Sequence, residues 1–140
     1  VMLVILFTLV QIYRRLIAEI DAAPFSEHLV LYLPFSLYTA WISIATIANI
    51  SVLQTGNGWD DIAPGAIYWT LLKLAAAGAI GTTMILRFRD IPFALVVAWA
   101  AYGISVMQSA TPAVSGAATT LSLLALLLVA RDAALRLVGK

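Results

Sequence analysis

No cysteine occurs in the 140 residues, so disulfides and thiolate metal sites are excluded. Charge is nearly as scarce. Eight Lys and Arg face seven Asp and Glu, and the net charge of +1 provides no basic field for nucleic acid. There is one histidine, no Gly-rich phosphate loop and no nucleophile set beside a base, so no enzyme chemistry is expected. Ten-residue segments of alternating polarity, the mark of a membrane barrel, are also missing. A charged start with a small-residue cleavage site is not seen either. Val1 opens directly into an apolar run, which leads to the expectation that this is the later part of a longer protein.

What remains is apolar. Hydrophobic residues make up 63% of the chain and the mean hydropathy is +1.01. A soluble domain of this size has too much surface to cover with so few polar groups, whereas a bilayer removes that demand. A spanning helix needs about 20 mainly apolar residues. Five stretches approach this, at about 1–20, 27–53, 64–86, 91–108 and 113–130. The fold class is therefore all-α: a single polytopic transmembrane bundle of about five helices.

The breaks carry turn chemistry. Asp21-Ala22-Ala23-Pro24 stops the first helix, and Ser26 suits an N-cap with Phe25 and Val30 placed for a hydrophobic staple. Thr55-Gly56-Asn57-Gly58 ends the second, in which Pro34 predicts a kink near the start. Arg87-Phe88-Arg89-Asp90 reads as a tight polar hairpin, and Pro92 suits the first turn of the next helix. Ser109-Ala110-Thr111-Pro112 closes the fourth.

The basic residues then orient the chain. Arg14 and Arg15, Arg87 and Arg89, and Arg131, Arg136 and Lys140 fall on alternate connections or the tail, and thus on one side of five crossings. The other two loops hold Asp60 and Asp61 and no base. The positive-inside rule makes the basic side cytoplasmic, including the C-terminus, in a bacterial inner membrane.

Few residues inside the spans bear chemistry. Lys73 is the only Lys or Arg within one, about two turns from the outer end of the third helix. It marks a functional site, or it snorkels outward to pair with Asp60 or Asp61. Asn49 needs partners, across helices or on a ligand. His28 sits near the cytoplasmic interface, as an interfacial histidine or as an axial ligand to a haem or chlorophyll metal. Trp59, Tyr68 and Trp69 suit an interfacial belt, while Trp41 and Trp99 lie deeper and either line a cavity or fill space. Ser36, Thr39, Ser43 and Thr46 on the second helix, and Ala75, Gly78, Ala79 and Thr82 on the third, repeat at packing intervals that let backbones approach in lipid.

The run from Pro34 through Trp41 and Ala45 to Asn49 resembles the last helix of the tryptophan-rich sensory protein (TspO), or translocator protein, family. Ile44 stands where that family often has Phe, and the interval from Pro34 to Trp41 is one turn longer than usual. Gly58-Trp59, Arg89-Asp90-Ile91 and Val97-Ala98-Trp99-Ala100 resemble the longer bacterial TspO/MBR-related branch. The resemblance covers nearly all of the chain. It implies that the first helix here corresponds to the fourth of that branch, with three helices upstream.

It also implies a pocket for porphyrin, haem or another lipophilic molecule, with Trp41, Ala45 and Asn49 facing it. Trp99 is the added candidate from the fourth helix. A second expectation comes from another class: an accessory subunit of a photosynthetic or respiratory complex, packed against partners, lipid, chlorophyll or carotenoid, or a homodimer. A transporter resting on Lys73 is the third.

Overall fold

The computed structural model describes residues 1–20, 24, 26, 28–59, 62 and 65–139. The Asp21–Ala23 stop, the Phe25 side of the staple and the Asp60–Asp61 loop lie outside these residues. The described chain is helical and contains no strand. Among the described residues five α-helices follow one another: α1 (Met2–Ile20), α2 (Leu33–Gly56), α3 (Ala66–Phe88), α4 (Ile91–Met107) and α5 (Pro112–Val138). This is the all-α bundle that the apolar runs predict. Three of the helical runs, Val30–Gly56, Ala66–Phe88 and Pro112–Val138, are long and apolar enough to cross a membrane. α4 is equally apolar but has 17 residues, and α1 carries Arg14 and Arg15 in its second half.

Pro34, expected inside the second helix, lies in the first turn of α2. Its ring cannot donate a backbone hydrogen bond, so it is tolerated only in the first turn of a helix. α2 accordingly starts at Leu33, and a π-helical turn, His28–Tyr32, leads into it. Such turns mark a local break in the α-helical ladder.

The α3–α4 connection takes two residues. Arg89 adopts left-handed backbone geometry (φ 54°), with its N–H donating to the Ile85 carbonyl at 3.1 Å. The Asp90 N–H donates to the Met84 carbonyl at 3.2 Å. Together these bonds satisfy the orphan carbonyls at the end of α3. Asp90 then caps α4, its Oδ1 accepting from the Phe93 N–H at 2.9 Å. At the opposite end of α3, Gly65 (φ 102°) supplies the backbone turn that a side chain would resist.

α5 runs about two turns past the expected end at Ala130. The polar residues that read as a tail instead continue the helix, because Asp132 and Arg136 pair across one turn.

α4 and α5 make the most extensive contact, and α3 lies against both. α2 packs mainly on α4 and only sparsely on α3, and α1 lies on α2 at the margin. Two buried clusters hold the layers. Ala40, Phe93 and Val97 join α2 to α4, and Leu74, Val114 and Ala118 join α3 to α5.

Small residues set the spacing. A Cβ on Gly81 would stand 3.1 Å from both Val97 methyls, and one on Gly78 would stand 2.9 Å from a Leu121 methyl. The Gly78 face therefore packs inside the chain, on α5. Ser122 Oγ donates to the Ala98 carbonyl at 2.9 Å, a hydrogen bond between α5 and α4.

Candidate functional site

The sparse contact between α2 and α3 leaves a cavity of about 350 Å³, closed on its third side by α4. Its walls are Ile44, Ile47 and Ala48 from α2, Leu74 and Ala77 from α3, and Val97, Ala101 and Ile104 from α4. Leu121 of α5 also reaches it. Polar groups stand toward the loop end of α2 and α3: Ser51 and Thr55, Thr70 and Lys73, and Gln108 at the end of α4. The volume falls within the range of small-molecule sites, which are mostly apolar with a few convergent polar groups.

Lys73 is half-buried and its Nζ donates to Gln54 Oε1 at 2.6 Å. It lies seven residues after the first residue of α3, about 10 Å along the axis at 1.5 Å per residue. Asp60 and Asp61, the partners expected from sequence, are outside the described residues. The observed partner is a neutral amide on α2, one that sequence reading passes over because Gln54 looks like part of a loop entry.

The four residues expected to form a slot do not meet at this cavity. Trp41 and Trp99 do come together, with ring centroids 5.5 Å apart and planes inclined by 31°. The pair lies on the outer surface, with 49% and 63% of each residue exposed. Asn49 is also exposed. Its Nδ2 donates to the Ala45 carbonyl at 2.9 Å and reaches Met2 Sδ on α1 at 3.0 Å. Ala45 is half-buried one turn below it.

Ser43 and Thr46 are buried, yet their hydroxyls donate to the carbonyls of Thr39 and Ile42 in their own helix, both at 2.7 Å. They serve as small, locally satisfied packing positions. Thr82 is half-buried beside Gly78, on the face toward α5. His28 is half-buried against Tyr32, with ring centroids 6.2 Å apart, and lines a separate surface groove with Arg89 and Arg136. Among the described residues no cluster of His and carboxylates suited to a metal ion occurs.

At the other end of the bundle stands a polar centre that sequence reading misses. Asp90, placed in an exposed hairpin by its neighbours, is fully buried. Its carboxylate accepts from Ser36 Oγ at 2.6 and 2.8 Å, from the Tyr13 hydroxyl and from the Phe93 N–H. One side chain thus ties α1 and α2 to the head of α4. The Tyr32 hydroxyl lies 3.4 Å from that of Tyr13 and extends the cluster. The signal available was the two-residue connection itself, which holds Asp90 against the ends of two buried helices.

A second pair of contacts locks the same end. Asp132 is buried and receives Arg89 Nε and Arg136 Nε, each at 2.8 Å. Arg136 Nη2 also donates to the Arg89 carbonyl at 2.6 Å. Both centres tie helices together.

Among known proteins, the family model for a TSPO-like protein matches residues 1–131. No curated protein and no solved structure matches the chain.

Proposed function

Given that this chain belongs to the TSPO-like family, we propose that it is a membrane protein of TspO type that takes a lipophilic molecule into the cavity between α2, α3 and α4. The cavity carries the reading: apolar walls on three helices, sited where α2 and α3 draw apart, with polar groups confined to one end. Burial of apolar surface supplies the affinity, and the polar end supplies orientation. A tetrapyrrole is one candidate ligand. His28 lies outside the cavity, so a tetrapyrrole there would be held by burial rather than by imidazole ligation.

The membrane is a bacterial cytoplasmic membrane, with the ends bearing Arg14, Arg15, Arg87, Arg89 and Arg136 on the cytoplasmic side. Tyr13–Asp90 and Arg89–Asp132 support this reading, because they draw those helix ends together at one face.

The test is saturable binding of protoporphyrin and of a neutral fluorescent lipophile to the protein in nanodiscs. Ala101→Phe fills the cavity and is expected to weaken binding at least tenfold. A folded Ala101→Phe protein with unchanged affinity would contradict the reading.

The Trp41–Trp99 pair favours a second reading, an accessory subunit of a larger membrane assembly. Two exposed indoles in tilted contact make a surface of the kind that interfaces enrich. Gentle extraction and native sizing distinguish it. A large complex that Trp99→Ala disperses supports this second reading, and a lone protein contradicts it.

A further inference from the structure

We infer that the cavity selects an amphiphile with a single anionic head, the head resting on Lys73 and the tail running toward Val97 and Ala101. This rests on the cavity being the ligand site. The Lys73 backbone lies about 10 Å along a membrane helix, where a charge without a polar neighbour is costly. Its Nζ reaches Gln54, two residues before the end of α2, so snorkelling toward the start of α3 leaves the charge at the loop end of the cavity that Lys73 lines.

Among the described residues its one hydrogen-bond partner is the neutral Gln54 amide, and neither ion pair includes it. An ammonium has three donors, so one bond to Gln54 fixes its position and, among the described residues, leaves two for an incoming group. Gln108 stands at the same end of the cavity and adds a neutral donor, while the Thr70 hydroxyl there donates to the Ala66 carbonyl at 2.9 Å. Ala77 and Ala101, at the apolar end, leave width for a chain. The arrangement separates one positive charge from an apolar tunnel. That is the complement of a carboxylate or phosphate head on a hydrocarbon tail, and a neutral lipophile engages only its apolar part.

The experiment compares dodecanoate with dodecanol by displacement of the neutral fluorescent lipophile from the full chain in phosphatidylcholine nanodiscs. A hydrogen bond to a charged group carries a tenfold or larger preference, so wild type is expected to bind dodecanoate at least tenfold more tightly. Lys73→Met is expected to bring dodecanoate down to the dodecanol level and leave dodecanol unchanged, while Lys73→Arg keeps most of the preference. Repeating the titration in phosphatidylglycerol separates the sources of the head. Competition that Lys73→Met abolishes assigns the site to a lipid headgroup, and no competition assigns it to a free amphiphile.

Equal affinities for acid and alcohol in wild type overturn the inference while leaving the cavity reading intact. So does a Lys73→Met variant that loses both equally. A preference that appears only after Asp60→Asn with Asp61→Asn shows Lys73 neutralised by its own loop, and also overturns it. Binding of neither compound removes the cavity reading itself.

Discussion

Replacing Asp90 by Ala removes four contacts at once, and their sum can be estimated. The cap on α4 is worth about 1 kcal/mol. The Ser36 and Tyr13 hydroxyls lose their acceptor where both side chains are buried, at about 1–3 kcal/mol each in a water-soluble protein. Within a bilayer the reference state finds other partners, which brings each nearer to about 0.6 kcal/mol. The total is then about 2 kcal/mol, or a fall in Tm of about 5–10 °C for a chain of this length. Asp90→Asn keeps an acceptor oxygen for the Phe93 N–H and is expected to lose less than half as much. Ser36→Ala also loses less, since Asp90 keeps Tyr13 and Phe93. The assay is thermal unfolding in detergent followed by tryptophan fluorescence. An Asp90→Ala protein melting within about 2 °C of wild type would refute the view that this carboxylate joins three helices.

Three further outcomes follow from the packing. Asp132→Ala is expected to cost about 1–2 kcal/mol, whereas Arg89→Ala and Arg136→Ala cost less than about 1 kcal/mol each, because one arginine remains and both are about half exposed. The same melts check this, and equal losses for all three would contradict it. Gly81→Leu forces a side chain into the Val97 methyls and should cost about 1–3 kcal/mol, with part recovered by Val97→Ala. No recovery in the double variant would place the strain elsewhere. Because the chain has no cysteine, Arg87→Cys and Asn57→Cys can each be labelled alone in intact cells. An impermeant maleimide is expected to reach position 57 and not 87, and the reverse would invert the orientation.

The helices were legible because lipid leaves a simple signal. Apolar runs, punctuated by Gly56–Gly58, Arg89–Asp90 and Pro112, are read without knowing any contact. The polar centres were not legible, since their partners are far apart in sequence: Asp90 meets Ser36 and Tyr13 across 54 and 77 positions. Its neighbours Arg87 and Arg89 made it look solvated. Arg131 and Arg136 read as a basic tail, but the buried acceptor at Asp132 between them also needs Arg89 from the connection after α3. The cavity also escaped notice. Lys73 was visible as an isolated charge, yet its role depends on α2 and α3 standing apart, a fact of packing rather than of composition. Trp41 and Trp99 drew attention as large residues at related depths. They do meet, but on the outer wall, where a bilayer makes exposure of an indole cheap.

Photolabelling with a neutral diazirine lipophile, read out by mapping the modified residues, tests the ligand site most directly. Saturable labelling within Ala77, Ala101 and Ile104, lost in Ala101→Phe, is the predicted result. Saturable labelling confined to Trp41 and Trp99, or labelling that rises linearly with probe and never saturates, would contradict a binding site between α2, α3 and α4.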